Sequence, residues 1–366
     1  MRVNRIALNG FRNYDFETAE LSPGTNVIYG ENAQGKTNLL EAVYILAAGR
    51  SFRTRFDREL IGFGCDRAEI LADIVSHERE QTVRIVMRNG VRKQITVNSV
   101  KKTATELAGT LTAVLFSPDD LNLIKEGAAA RRRLMDNAIS QIRPRYAEYL
   151  SQFNKLYESK TRILKDWREK PSLLDTLDDF SDGMCRYSAQ LIRYRAAFIE
   201  RLREEAAPIH GEFSGAGEKL GIEYSTVSSV RNPLGSAQDI FYDLCEHQER
   251  HRTAEIESQQ CLTGAHKDDL IITINGQNAR SFASQGQTRT AALSIKLAER
   301  EIYLDETGEY PILLLDDVLS ELDTRRQEFV LNRIGGGQTL ITCCEDEGIS
   351  KRTGGRVLHV EKGRIR

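Results

Sequence analysis

The sequence predicts an α/β fold interrupted by a helical lobe, and three observations carry that expectation. A strand, a glycine-rich loop and a helix follow one another over residues 26–48. Strand and helix patterns return after residue 284. Between them lies a charged stretch whose apolar residues recur only at helical spacing.

Residues 3–8 alternate apolar and polar and end at Asn9-Gly10, as a half-buried strand does. Residues 26–29 form a short apolar run that stops at Gly30. Over 36–48, Leu39, Leu40, Val43, Leu46 and Ala47 fall on one helical face. Val83, Ile85 and Met87 alternate, Asn89-Gly90 supplies a type I′ turn, and Ile95 and Val97 alternate back, which predicts a hairpin. A second Asn-Gly turn, Asn275-Gly276, follows a strand over 270–274. From 128 to 208 the stripes Tyr146, Leu150, Phe153, Tyr157 and Tyr187, Leu191, Tyr194, Phe198, Leu202 predict antiparallel helices, with Pro144 and Pro171 kinking or separating them. Helices of some 25 residues reach only ~40 Å, so a compact lobe or short arm is expected. A helix over 284–304, a strand over 312–315, a helix over 325–334 and a strand over 339–343 close the chain. The expected division is one discontinuous domain of residues 1–127 and 260–366, with residues 128–259 as the inserted helical lobe.

With 51 basic and 53 acidic side chains, the net charge of −2 excludes a globally basic coat protein. Any polyanion must be met by local patches. Six cysteines, none in a CxxC pair, fit reduced thiols, and adjacent Cys343 and Cys344 should point to opposite faces of a strand. No apolar run approaches the ~18 residues a bilayer requires, and Met1 leads almost at once into strand. A cytoplasmic protein with no membrane association is expected.

The chemistry begins at Gly30-Glu31-Asn32-Ala33-Gln34-Gly35-Lys36-Thr37, which fits GxxxxGK[ST] between a strand and a helix. Its glycines let backbone N–H groups turn inward around phosphate oxygens, and the helix start adds positive partial charge. With Asn38, these residues are the candidate ATP contacts. Lys36 can reach the β- and γ-phosphates, and the Thr37 hydroxyl can ligate Mg²⁺. Ile312-Leu313-Leu314-Leu315-Asp316-Asp317 places carboxylates at the end of a buried strand. There Asp316 would hold Mg²⁺, and Asp317 would orient or deprotonate the attacking water. An ordinary acidic turn reads the same way in isolation.

Ser284-Gln285-Gly286-Gln287 opens a helix between those two motifs. It fits a capping box, serine at the N-cap and Gln at N3. It also resembles the signature motif of ABC ATPases, in which Ser284 and Gly286 would close over the γ-phosphate held by a second subunit. Ser320-Glu321-Leu322-Asp323 resembles the D-loop of the same superfamily, with Asp323 also able to cap the next helix. The order of the four motifs implies a P-loop NTPase of the ABC/SMC head type.

Residues 9–14 (Asn9-Gly10-Phe11-Arg12-Asn13-Tyr14), Gly49-Arg50-Ser51-Phe52-Arg53, Phe116-Ser117-Pro118-Asp119-Asp120-Leu121, Arg131-Arg132-Arg133 and Gly264-Ala265-His266-Lys267-Asp268-Asp269 resemble blocks of the RecF family of recombination mediators. The last block has Ala265 and Lys267 where the family pattern has Pro and Arg. The resemblance spans nearly the full length. It implies a weak ATPase that dimerises on ATP and binds gapped, single-stranded or duplex DNA. It also implies partnership with RecR and RecO in loading RecA during DNA repair. Transporter-type ABC ATPases have Glu where Asp317 stands and a switch His where Ile341-Thr342-Cys343 places Thr342. Both departures imply slow hydrolysis, suited to a switch. No Q-loop glutamine is assigned.

A transporter ATPase subunit is the main alternative, followed by an SMC-like DNA tether and a small-molecule kinase. Arg50, Arg53, Arg55 and Arg58, then Lys101 and Lys102, then Arg131 to Arg133, are the candidate phosphate contacts of a DNA surface, each weighed against an ordinary solvated face. His247 and His251, at i, i+4, suit a solvated helix face better than a metal site, since Gln248 stands where a metalloprotease has Glu. His266, Asp268 and Asp269 suit a structural or interface role better than a hydrolytic cluster.

Overall fold

A computed structural model describes residues 1–215, 217–345 and 348–366. Strands β1 (Arg2–Phe11) and β2 (Tyr14–Glu20) form a hairpin, and β3 (Thr25–Tyr29) runs through a loop into helix α1 (Lys36–Ala48). A meander follows: β4 (Arg67–Ser76), β5 (Arg79–Arg88), β6 (Val91–Val97) and β7 (Val100–Lys102). Helix α2 (Ala104–Leu107) leads to β8 (Ala113–Phe116). Next come helices α3 (Ala128–Ile142), α4 (Pro144–Asp166) and α5 (Leu177–Ser214). Strand β9 (Leu220–Ser225), helix α6 (Ala237–Ser258), strands β10 (Asp269–Ile274) and β11 (Gln277–Asn278), and helix α7 (Ala279–Phe282) follow. The chain ends through α8 (Gln285–Thr307), β12 (Ile312–Leu315), α9 (Thr324–Arg333), β13 (Thr339–Cys343), α10 (Ile349–Thr353), β14 (Arg356–Glu361) and β15 (Arg364–Ile365).

The chain divides into two compact units. The first comprises Met1–Asn122, Glu212–Ala216 and Arg289–Arg366; the second comprises Leu123–Gly211 and Gly217–Thr288. Residues 260–288, expected with the nucleotide-binding part, fall in the second unit. The reason is strand pairing: β10 pairs antiparallel with β9 along its whole length, Asp269 to Ser225 through Ile274 to Leu220. The sequence reading missed β9, although Leu220 and Ile222 are buried on alternate positions.

The first unit holds two sheets. One is antiparallel, in the order β2-β1-β4-β5-β6-β7. The other, in the order β15-β14-β3-β13-β12-β8, is parallel from β14 to β8. Helix α1 shares one apolar core with residues of both sheets. It is therefore buried on every side, Glu41 and Tyr44 included, where the sequence predicted one apolar face. Parallel strands align their C-terminal ends, so the loops after β3, β8, β12 and β13 meet at one edge, where α/β sheets bind ligands.

In the second unit Pro144 starts α4 at its first turn and Pro171 falls between α4 and α5, as expected. Pro208 does not end α5, which runs 38 residues, ~57 Å, longer than the ~40 Å expected. The buried stripe carries on past the proline through Ile209, and that packing outweighs the missing hydrogen bond.

Candidate nucleotide-binding site

The loop between β3 and α1 takes backbone conformations that side chains resist. Gly30 has φ 151°, and a Cβ there would lie 2.2 Å from the Val360 carbonyl oxygen. Gly35 has φ 123°, and a Cβ there would lie 2.8 Å from both Asn13 side-chain heteroatoms. Ala33 carries a left-handed φ of 64°. Gly35 is the N-cap of α1 and offers no side chain to cap it. The first N–H groups of the helix are thus left to an anion. Lys36 is buried, and its Nζ donates to the carbonyls of Gly30 (2.6 Å) and Glu31 (3.0 Å), which arches the loop around the ammonium.

Thr37 and Asp316, 279 residues apart, meet in this site: Thr37 Oγ1 donates to Asp316 Oδ1 at 2.8 Å. Thr342 Oγ1 donates to the same oxygen at 3.0 Å and accepts from the Asp317 N–H at 2.8 Å. Burial pushes the Asp316 carboxyl above the ordinary range, against the hydrogen bonds from Thr37 and Thr342. Asp317 sits at φ 50°, a left-handed conformation that is strained outside glycine, and Ser320 Oγ donates to its carbonyl at 2.6 Å. A hydroxyl and a carboxylate converging from two loops make a hard oxygen donor set that fits Mg²⁺.

The turn between β1 and β2 braces this loop, a function the sequence did not disclose. Asn13 Nδ2 donates to the Gln34 carbonyl (2.7 Å), Tyr14 Oη donates to the Gly35 carbonyl (2.9 Å), and Asn38 Nδ2 donates to Asn13 Oδ1 (2.8 Å). Arg12, at φ 56°, forks onto the fully buried Glu41 carboxylate at 2.8 and 2.7 Å. Ser51 donates to that carboxylate at 2.5 Å, and Arg53, 3.6 Å away, donates to Asn38 Oδ1 at 2.7 Å. From the other side Gln34 accepts the Lys362 and Gly363 N–H groups. Asn32 Oδ1 lies 3.2 Å from Cys344 Sγ, exposed just beyond the strand that buries Cys343.

Ser284 and Gly286 lie in the second unit at the start of α8. Ser284 is exposed; its Oγ accepts from the Gln287 N–H at 3.2 Å, and its own N–H donates to Gln287 Oε1 at 2.8 Å. The capping box is therefore formed, with Ser284 Oγ as the acceptor. In the first unit Asp323 caps α9 through the Arg326 N–H at 3.0 Å, while Arg289 pairs with Glu321 at 3.1 Å.

The basic groups separate by burial. Arg131 is only 4% exposed and forks onto Asp269 at 2.7 and 2.9 Å, so it is not a surface phosphate contact; a buried guanidinium requires a carboxylate of its own. Arg132 donates to the Asp268 carbonyl. Asp268 is buried beneath Arg195, Tyr224 and Thr226, and burial raises its carboxyl despite those bonds. Burial lowers His266 to about 4, and its Nε2 lies 2.9 Å from the Cys261 carbonyl oxygen. His266, Asp268 and Asp269 are thus all bonded within the second unit. His247 pairs with Thr263 and stacks on His251. On the first unit, Arg92, Lys101 and Lys102 line a cleft of about 440 Å³ together with Lys93, which is paired with Asp57 at 2.8 Å.

A glycine loop over a helix start, with a threonine and an aspartate converging from neighbouring loops of a parallel sheet, defines a P-loop α/β head. A family model described as RecF/RecN/SMC N terminal domain matches residues 2–363. The DNA replication and repair protein RecF of Acetivibrio thermocellus is 40% identical over 100% of this chain and 99% of its own. That of Listeria innocua is 40% identical over 100% of both. A solved structure of the recombination mediator protein RecF-ATPrS in the RecFOR pathway aligns with TM-score 0.92 and 34% identity over 100% of this chain and 97% of that one. A Pyrococcus furiosus Smc head domain, 16% identical with TM-score 0.56, shares the fold. The chain belongs to the RecF family of DNA replication and repair proteins, within the RecF/RecN/SMC group, and is not a transporter subunit.

Proposed function

We propose that this chain is an ATP-driven, DNA-binding switch: a weak ATPase that dimerises on ATP. It acts with RecR and RecO to help load RecA at gapped DNA. The observation that carries the reading is the meeting of Thr37 with Asp316 beneath an uncapped helix start. Residues Gly30 to Asn38 take the triphosphate, Lys36 turning its ammonium from the loop carbonyls to the β- and γ-phosphates. Thr37 and Asp316 would hold Mg²⁺, which supplies positive charge to the phosphate oxygens. Asp317, pinned by Thr342 and Ser320, orients the attacking water. Ser284 and Gly286 complete the site of a second copy, so ATP biases the closed dimer through contacts the open one lacks. Solved RecF structures with ATP and ATPrS support the nucleotide, and their RecFOR pathway supports the partners. The cleft lined by Arg92, Lys93, Lys101 and Lys102 is the best-supported stretch of DNA surface, because its cations outnumber its acids.

Sedimentation with and without ATP tests the switch. Lys36→Ala should lose nucleotide affinity tenfold or more and with it the ATP-induced dimer, since a charge-assisted bond contributes about 1.5–3 kcal/mol. Ser284→Arg should keep nucleotide binding and lose the dimer. An ATP-induced dimer persisting in Lys36→Ala would remove the phosphate-loop assignment; loss of nucleotide binding by monomeric Ser284→Arg would remove the two-subunit site.

A further inference from the structure

The serine proposed to contact the partner's phosphate is itself held in place from one step further away. Gln287 Nε2 donates to Glu218 Oε1 at 2.8 Å, while Gln287 Oε1 accepts the Ser284 N–H at 2.8 Å. An amide alone is indifferent to a half-turn that exchanges its oxygen and nitrogen. A carboxylate is an acceptor only, so it selects one orientation: nitrogen toward Glu218, oxygen toward Ser284. The second Glu218 oxygen lies 3.3 Å from Nε2 of His210, which is fully buried on α5. One carboxylate oxygen is thus hydrogen-bonded by Gln287, the other faces the buried imidazole, and the Glu218 side chain is only 23% exposed.

We propose that Glu218 is a positioning residue for the signature serine, acting through Gln287. This rests on the reading of Ser284 as a contact to the nucleotide of a second copy. In the arrangement Glu218–Gln287–Ser284, the Gln287 amide fixes the Ser284 backbone, and the Gln287 N–H occupies a lone pair of Ser284 Oγ. The hydroxyl proton is left to be donated outward to a phosphate oxygen. The same glutamine that completes an ordinary capping box thus fixes the backbone from which the serine side chain projects. None of these residues touches the nucleotide of its own subunit in this scheme, so their loss should separate dimer closure from nucleotide binding.

The test uses the full chain with ATP and Mg²⁺, reading nucleotide affinity by titration and the dimer dissociation constant by sedimentation. Glu218→Lys offers Gln287 a donor, which turns the amide around and aims its nitrogen at the Ser284 N–H. The dimer should weaken tenfold or more, with nucleotide affinity within twofold of the parent. Glu218→Gln keeps an acceptor and should stay within about threefold. The double variant Glu218→Lys with Gln287→Glu restores an acceptor for Ser284 opposite a donor at 218 and should recover the dimer. Should Glu218→Lys fail to fold, Gln287→Met removes the bridge from its other end and should weaken the dimer equally. A dimer constant unchanged in both Glu218→Lys and Gln287→Met overturns the proposal, as does a double variant no better than Glu218→Lys. If Ser284→Ala also leaves the dimer unchanged, the two-subunit reading falls with it; if Ser284→Ala weakens the dimer while the Glu218 variants do not, only this inference falls.

Discussion

In the proposed metal site Asp316 would act ionised, at a cost to the folded chain. Burial raises its carboxyl above the ordinary value, so the folded protein binds this proton more tightly than the unfolded chain does. The sign follows from linkage: this contribution to stability is fully present below the ordinary carboxylate pKa and is lost as pH rises through the raised folded value. Asp316→Asn removes the charge and keeps an oxygen for Thr37 and Thr342. Without nucleotide its melting temperature at pH 7 should equal or exceed the parent's, and its gain in stability from pH 7 to pH 5 should be smaller. With ATP and Mg²⁺ the parent should be stabilised and the variant should not. Calorimetry reads both; a variant still stabilised by Mg²⁺ and ATP would remove Asp316 from the metal site. Asp317 differs, being held by its backbone rather than its carboxylate, and Thr342 is the residue that serves both aspartates.

At the scale of elements, the phosphate loop is shaped by neighbours distant in sequence. The β1–β2 turn reaches it through Asn13 and Tyr14, and the turn before β15 through Lys362 and Gly363. Helix α1 is tied to that first turn by the Arg12–Glu41 fork, with Glu41 fully buried. Removing Arg12 leaves the buried Glu41 carboxylate with only the Ser51 hydrogen bond and the more distant Arg53. Arg12→Met should therefore lower unfolding free energy by about 3–5 kcal/mol, and Arg12→Met with Glu41→Met should recover more than half of that loss in denaturant titrations. A double variant no more stable than the single would mean that the pair contributes no coupling. Gly30→Ala meets both a forbidden φ and the Val360 carbonyl, so it should destabilise by at least the ~1–3 kcal/mol of a strained residue.

At the scale of the whole molecule, a net charge of −2 is compatible with DNA binding only if the cations are gathered. Arg131 shows that a basic run in sequence need not be a basic surface: it is spent inside the second unit on Asp269, which it holds below the ordinary carboxylate range even against burial. Lys101 and Lys102, by contrast, line an open cleft with Arg92, where only Lys93 is paired with an acid, Asp57. Lys101→Ala with Lys102→Ala should weaken duplex binding and reduce the slope of log affinity against log salt by about 1–2, since each phosphate neutralised contributes ~0.9. Binding isotherms at several salt concentrations check this; an unchanged slope places the DNA track elsewhere.

The phosphate loop, the Asp316 strand, the hairpin turning at Asn89-Gly90 and the helical middle were legible in the sequence, because each is a local pattern: a motif, an apolar run, a turn dipeptide or a periodicity. The pairing of β9 with β10, the bracing of the loop by residues 12–14 and the consumption of Arg131 by Asp269 were not, because each joins groups far apart along the chain. Ser284 shows the division most clearly. Its sequence context determined that it would cap a helix and could meet a phosphate. Only tertiary structure brought Glu218 to Gln287, and so decided which end of the Gln287 amide faces the Ser284 N–H. A local motif sets which atoms are available, while direction is set by neighbours whose proximity depends on the packed fold.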